Sequence, residues 1–331
     1  MKAIISVEYG SAEVLQVKEI EKPAPKENEV LVHVHATSVN YGDRLARNFK
    51  EVSPREFNMP GIFWLMAKLS FGLQKPTITI LGSQFAGEVE AVGGAVTAYR
   101  VGEQVMGYLG QSMGAYAEYV CVSEDAVMTQ KPVNMPYEEA VVLTYGAVMA
   151  INLLSKLDIQ PGQKVLINGA SGSIGAAAVQ IAKNFGAEVT AVCGRQRFAF
   201  VKQLGAAHVI DYKTNDFTSG SERYDVIFDV LGKSDFSKCR KVLSDNGKLF
   251  YASFKLKQLL QSLWSGFFSS QKVICGIAPG SKADLMAVKE MADAGKLKVI
   301  IDKVFSIQEA AQAHAYVEGG QKSADVIISM I

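Results

Sequence analysis

The spacing of apolar positions changes character partway along the chain. Up to about residue 124 the apolar runs are short. They alternate in twos or carry β-branched residues: VLVHVHA at 30–36, FAGEVEAV at 85–92 and YAEYVCV at 116–122, with glycine-rich turns between them. A period of two sends successive side chains to opposite faces, so these runs predict half-buried strands. MKAIISVEYG at the start predicts another. Near Pro132 the cadence shifts. KVLIN at 164–168 reads as an apolar strand, a helical run follows from Ser173 to Phe185, Gly186 stops it, and EVTAVC at 188–193 is the next strand. A helical run to Leu204 leads to HVI at 208–210, and DVIFDV at 225–230, KLFYAS at 248–253 and KVICGI at 272–277 add three more strands. Strands alternating with helices predict βαβ units in a parallel, doubly wound sheet with right-handed crossovers. A helix at 282–293 and a strand DVIISMI at 325–331 follow.

Two segments fit neither cadence. Residues 61–73, GIFWLMAKLSFGL, are strongly apolar and lie between Pro60 and Pro76. In 256–268, Leu256, Leu259, Leu260, Leu263, Trp264, Phe267 and Phe268 fall on one face of a helix, opposite Lys257, Gln258, Gln261 and Ser262. The chain's two tryptophans, Trp64 and Trp264, lie in these segments. Three roles stand open for them: an apolar lid over a hydrophobic substrate at an interdomain cleft, packing in a core or subunit interface, or peripheral contact with a membrane.

Composition narrows the class. With 331 residues the chain has room for two domains. A hydrophobic share of 49% and a charged share of 20% exclude a disordered or fibrous chain. Thirty-four Lys plus Arg against 33 Asp plus Glu leave a net charge of +1, which argues against a nucleic-acid partner or a polybasic membrane anchor. The cysteines, Cys121, Cys193, Cys239 and Cys275, are scattered and form no CxxC pair. No signal-peptide pattern opens the chain and no apolar stretch reaches the ~20 residues of a membrane span. The expectation is a cytoplasmic protein without stable membrane insertion.

The sharpest motif is NGASGSIG at 168–175, which follows the strand KVLIN and opens a helix. Gly169, Gly172 and Gly175 are spaced by three, with Ser171, Ser173 and Ile174 between them. Glycine removes the Cβ that would keep a pyrophosphate away from the backbone, and a helix N-terminus offers free N–H groups and partial positive charge. In this strand-turn-helix setting the motif predicts a dinucleotide site. An NAD site places an acid about 20 residues on, at the end of the second strand. Here Gly194, Arg195, Gln196 and Arg197 follow Cys193, with no acid. Glycine leaves room and guanidinium suits a 2′-phosphate, so the cofactor expected is NADP(H).

Taken together, VNYGD at 39–43, LGSQFAGEVEAVG at 81–93, VGEQVMG at 101–107, GAYAEYV at 114–120, the NGASGSIG turn, KQLGAAHVIDY at 202–212, DVIFDVLG at 225–232 and EAAQAHAYVEGGQKSADVIISM near the end resemble the medium-chain dehydrogenase/reductase superfamily. Within it the chain resembles the zinc-free quinone oxidoreductase branch, the NADPH:quinone reductase or zeta-crystallin type. The resemblance spans essentially the whole length. It implies an α/β fold, with a Rossmann NADP-binding domain over 125–278 and a GroES-like β-rich catalytic domain over 1–124 and 279–331. It also implies a homodimer.

By motif position the resemblance puts Asn40 and Asp43 in a loop beside the nicotinamide and Thr144 on the nicotinamide ribose or ring. It puts Tyr212 near the adenosine phosphate and Leu231 and Gly232 on the adenine side. Ile274 to Gly276 approach the carboxamide, and Lys322 is a further contact. Gln84 departs from the family's usual Asp. Where zinc relatives carry ligands, this chain has Asn40, then Ser83 and Gln84, then AVVLTYG at 140–146, and it has no four-cysteine loop. His33 and His35 share a strand face without a third ligand in view, and His208 and His314 read as structural. No zinc is expected. Without a Lewis acid, hydride delivery favours a small hydrophobic acceptor that spreads charge by conjugation, a quinone or an α,β-unsaturated carbonyl. Asn40, with Tyr41 or Tyr145, would orient its oxygen, and Asp43 would anchor the loop. An alcohol dehydrogenase or enoyl-thioester reductase of the same superfamily, or a non-catalytic NADPH-binding protein, is the alternative.

Overall fold

The strands sort into two large sheets, and each sheet takes strands of one pattern. The fold is seen in a computed structural model that describes residues 1–320 and 322–331; Gln321, inside the terminal motif, lies outside the described residues. β1 (Lys2–Ile5) and β2 (Gln16–Glu19) form a small antiparallel pair. Next come β3 (Glu29–Ser38), α1 (Tyr41–Arg47), α2 (Gly61–Phe71), β4 (Gln84–Val92), β5 (Gln104–Tyr108), β6 (Tyr119–Ser123) and β7 (Val127–Gln130). α3 (Tyr137–Val142), a wide π turn over Leu143–Ala147 and α4 (Val148–Leu154) make one continuous helical rod. The alternating half holds β8 (Lys164–Asn168), α5 (Ser173–Asn184), β9 (Glu188–Cys193), α6 (Phe198–Gln203), β10 (His208–Asp211), β11 (Tyr224–Asp229), α7 (Phe236–Cys239), β12 (Leu243–Tyr251), α8 (Leu256–Phe268) and β13 (Lys272–Cys275). α9 (Lys282–Asp293), β14 (Ile301–Ser306), α10 (Ala310–Glu318) and β15 (Asp325–Ser329) complete it.

The six-stranded sheet has the order β10-β9-β8-β11-β12-β13, and every pair in it is parallel. Val165, Leu166 and Ile167 of β8 are fully buried, as a strand covered by helices on both faces requires. The strand order reverses at β8, between β9 and β11, the position where open α/β sheets bind ligands. Register brings Asn168 level with Asp229 and with Val192, so the strands end together along one edge. The other sheet runs β14-β15-β3-β4-β5-β7, with β6 also on β3. Strands from both halves of the chain therefore complete a β-rich unit, and the chain has the Rossmann plus GroES-like architecture. β7 pairs with β5, so this sheet continues past residue 124 to Gln130.

Two sequence expectations are corrected here. Tyr137–Leu157 forms a helix of 21 residues with mean hydropathy 1.6, long and apolar enough by those measures to cross a membrane. No such stretch was expected. The helix is the core of the parallel-sheet unit: 72% of its most apolar window is buried, and Val148, Ala150 and Leu154 pack with Val179 and Ile181 of α5. The second correction concerns 61–73 and 256–268. Both form helices, α2 and α8, but their large apolar residues face solvent rather than the core: Leu263, Trp264, Phe267 and Phe268 on α8, and Ile62, Leu65, Met66 and Leu69 on α2.

Candidate active site

A cleft of about 1010 Å³ lies along the edge where β8, β9 and β11 end, between the parallel sheet and α1 of the β-rich unit. Its floor is the glycine turn. Gly169 sits at φ +87°, and a Cβ on Gly175 would lie 2.1 Å from the Gly169 carbonyl oxygen, so larger residues would open the turn. Gly172 caps α5 without a side chain. The first N–H groups of a helix have no intrahelical acceptor, and those of Ser173 and Ile174 stand at this wall. The Ser173 hydroxyl donates to Asp325 Oδ1 at 2.7 Å, so the side chain ties the turn to β15. Burial pushes the Asp325 carboxyl up.

The far wall is held by a residue that the sequence reading passed over. Asp229 is fully buried at the end of β11. Its carboxylate accepts from Leu231 N (3.0 Å), Gly232 N (3.1 Å), Ser234 N (2.7 Å) and Asn168 Nδ2 (3.0 Å). This shapes the 230–234 loop that borders the cleft. An acid ending a buried apolar strand was the available signal. Gly146 was also passed over: a Cβ there would lie 2.5 Å from the Ser173 carbonyl oxygen, so the π turn can approach α5 only with glycine. Arg44, Lys233, Lys238 and Lys322 stand in the wall against Asp216 and Asp235, a cationic excess suited to a phosphorylated ligand.

The expected residues divide into two groups. Tyr41, Tyr145, Gly169, Ser171, Gly172, Ser173, Ile174, Gly194, Tyr212, Leu231 and Lys322 line the cleft. Asn40, Asp43, Thr144, Gly175, Arg195, Arg197, Gly232, Ile274 and Gly276 do not. Arg195 is exposed just past Gly194, while Arg197 donates to the Lys322 carbonyl oxygen. Ile274 lies inside β13, and Gly276 N donates to Tyr251 O at 3.1 Å.

Asn40 and Asp43 sit one layer behind Tyr41. They form a capping box at the start of α1: Asp43 N donates to Asn40 Oδ1, and Asn40 N to Asp43 Oδ2, both at 3.1 Å. Asn40 Nδ2 donates to Ser83 Oγ at 2.7 Å, and Ser83 N to Asp43 Oδ1 at 3.1 Å. The Asn40 amide is thus committed to the protein, and Tyr41 and Tyr145 are the neighbouring residues that line the cleft. Gln84 bridges two elements, donating from Nε2 to Ser38 Oγ (2.5 Å) and accepting at Oε1 from Thr144 Oγ1 (3.2 Å).

A buried chain of hydrogen bonds lies behind Asp43. The Arg47 guanidinium can only donate, and its Nη1 lies 3.0 Å from His314 Nδ1. His314 must then carry its proton on Nε2, which lies 2.9 Å from Tyr116 Oη. The Tyr116 hydroxyl in turn donates to the Ser38 carbonyl oxygen at 3.3 Å. Asp43 itself accepts from the backbone N–H groups of Asn40 and Ser83. Even so, burial outweighs the donors and pushes its carboxyl up to about 7. Burial, then the Arg47 and Arg44 charges, hold His314 down at about 3. Burial pushes the Tyr145 phenol up to about 12, so it remains a donor at neutral pH.

Zinc does not fit. Asn40, Ser83 and Gln84, at the positions where zinc relatives carry ligands, are neutral amides and a hydroxyl already bonded to one another's elements. The histidines are engaged elsewhere. The His33 ring stacks on Tyr119 at 4.7 Å, His35 packs on Tyr137 at 4.2 Å, and His208 Nε2 lies 2.7 Å from Glu188 Oε1.

A parallel sheet with a glycine turn at its switch point, closed over by a β-rich unit, defines an oxidoreductase dependent on a pyridine nucleotide. Comparison supplies the family. Residues 26–132 match the alcohol dehydrogenase GroES-like domain and 204–328 match the zinc-binding dehydrogenase family. The chain is 28% identical to the chloroplastic quinone-oxidoreductase QR1 of Triphysaria versicolor, over 99% of this chain and 98% of that protein. It is 26% identical to the chloroplastic NADPH-dependent alkenal/one oxidoreductase of Arabidopsis thaliana, over 99% of this chain and 79% of that one. The structure of the quinone oxidoreductase from Coxiella burnetii superposes with a TM-score of 0.85 at 26% identity, over 100% of this chain and 99% of that one. The chain belongs to the medium-chain dehydrogenase/reductase superfamily, and the curated proteins it resembles include quinone oxidoreductases.

Proposed function

We propose that the protein is an NADPH-dependent reductase that transfers hydride to a quinone or an α,β-unsaturated carbonyl without a metal. One observation carries this reading. Where a metal-dependent relative would hold an ion, the amides and hydroxyl of Asn40, Ser83 and Gln84 are bonded within the protein, and Tyr41 and Tyr145 line the adjoining wall. The cleft suits the cofactor through the glycine turn, the N-terminus of α5 and the cationic excess, and the cofactor when bound supplies the hydride. Tyr145, kept protonated, donates to the acceptor's carbonyl oxygen as charge develops there. Tyr41 is the first residue of α1, and the Asn40–Asp43 capping box sets its place. Conjugation spreads the remaining charge, which is why a quinone or enone suits a metal-free site. Tyr41 is 55% exposed, so water reaches this end of the cleft and delivers the proton.

Support for NADPH over NADH comes from the absence of an acid after Cys193, the exposed Arg195 and the wall residue Lys322. All four cysteines are free thiols, which supports a reducing, cytoplasmic setting. The test is a steady-state panel of quinone, enone, aldehyde and enoyl-thioester acceptors with each dinucleotide. Turnover of quinone or enone with NADPH is expected, and Tyr145→Phe should lower kcat/KM about a hundredfold. Tight NADPH binding with no turnover, or turnover of simple aldehydes alone, would sink the reading.

A further inference from the structure

We infer that α2 and α8 together form a face that docks on an anionic lipid surface. The inference stands apart from the proposed reaction. Twenty-one large apolar side chains are exposed among the described residues, and 11 of them lie in 61–73 and α8. A monomeric surface does not ordinarily gather so many in so little chain.

α8 is an amphipathic helix mounted the opposite way round from a core helix. Its polar stripe faces the protein and is satisfied there: Ser265 is fully buried, its Oγ donates to Ser262 O at 3.1 Å and accepts from Val273 N at 2.8 Å, and Gln258 Nε2 donates to Gly232 O at 3.3 Å. Its apolar stripe is left outside, with Phe267 82% and Phe268 74% exposed. On α2 the exposed Ile62, Leu65, Met66 and Leu69 follow the same helical spacing, continued by Leu73. The two helices begin side by side. Phe254 N donates to Asn58 O at 3.1 Å, Lys255 Nζ donates to Arg55 O at 2.5 Å, and Met59 packs with Phe254 and Leu259.

Charge selects the occupant. No Asp or Glu occurs between Glu56 and Glu88, nor between Asp245 and Asp284, whereas Lys68 and Lys75 lie on or just past α2 and Lys255, Lys257 and Lys272 lie on or beside α8. Asp235, from the neighbouring loop, offsets Lys257 at 3.2 Å. Lys68 lies 4.7 Å over the Trp64 ring, its stem on apolar surface and its ammonium at the rim. A second copy packing this face on itself would set lysines against lysines, with no carboxylate on either helix. A lipid surface of negative charge accepts the apolar stripe and neutralises the rim together.

The experiment is vesicle flotation of the full chain, using phosphatidylcholine alone and phosphatidylcholine mixed with phosphatidylglycerol. Ultracentrifugation without lipid runs in parallel. Wild type should float with the mixed vesicles, and high salt should weaken the binding. In Trp64→Phe, which leaves Trp264 as the lone reporter, emission should shift to the blue on binding. Leu263→Glu with Phe267→Glu, at exposed sites that leave packing intact, should weaken partitioning at least about tenfold. Leu65→Glu with Leu69→Glu should act likewise. Four outcomes would overturn the inference: no flotation, equal flotation on neutral vesicles, undiminished binding by the glutamate variants, or a lipid-free dimer that those variants dissociate.

Discussion

Asp43 and His314 are both buried and are displaced in opposite senses. For Asp43 the folded value of about 7 lies above the ordinary value of 3.8, so between those pH values the folded chain holds a proton that the unfolded chain has lost. Stability therefore falls as pH rises through this window, by an amount of order 4 kcal/mol. For His314 the folded value of about 3 lies below 6.5, so the unfolded chain takes up the proton first and stability falls as pH drops through that window. The two slopes overlap and oppose each other between about pH 4 and 6.5. In thermal melts across pH 4 to 8, Asp43→Asn should lose the decline toward neutral pH and keep the acid loss, while His314→Asn should do the reverse. Parallel profiles for wild type and both variants would refute this. Arg195 gives the second test at this scale. Its guanidinium is exposed beside Gly194, and Arg195→Ala should reduce the NADPH/NADH ratio of kcat/KM about tenfold. An unchanged ratio removes this residue from cofactor choice.

Among the elements, most strands and helices of the alternating half were legible to within two residues, but β12 begins five residues ahead of KLFYAS and the short α7 was not expected. β8, β9, α8 and α9 have the bounds that the periodicity predicts, because each carries a complete apolar repeat between glycine or polar stops. β14 and the 137–157 rod were not predicted, since Ile301–Ser306 is partly polar and the rod is apolar all round. The rod's π turn holds Thr144, Tyr145 and Gly146 in consecutive places: one bonds Gln84, one faces the cleft and one admits Ser173. Gly146→Ala drives a methyl group against the Ser173 carbonyl. It should cost about 1–3 kcal/mol in stability. It should also weaken NADPH binding, measured by fluorescence titration, more than it changes kcat. Wild-type affinity in this variant would show that the turn tolerates the shift.

The whole molecule holds its cleft between two units that are tied at separate points. Ser173 bonds Asp325 across 152 positions, and Gln84 bonds Thr144 across 60. A dinucleotide bound along the edge of the parallel sheet stabilises only the folded chain, so NADPH at about 100 times its Kd should add about 2.7 kcal/mol. The melting temperature should rise with NADPH, and less with NADH at equal concentration. Equal shifts would argue against discrimination at the 2′ position.

The sequence by itself determined most of the element pattern, the glycine turn and the family resemblance, because each is written in the identity and spacing of neighbouring residues. Tertiary structure decided what meets what. No local spacing could place Arg47 on His314, 267 positions away, or show that Asn40 spends its amide on Ser83 and leaves the cleft to Tyr41 and Tyr145. Periodicity marked α8 as a helix with an apolar face. Which face turns inward depends on the donors and acceptors waiting on the protein, and there Val273 N and Gly232 O took the polar side.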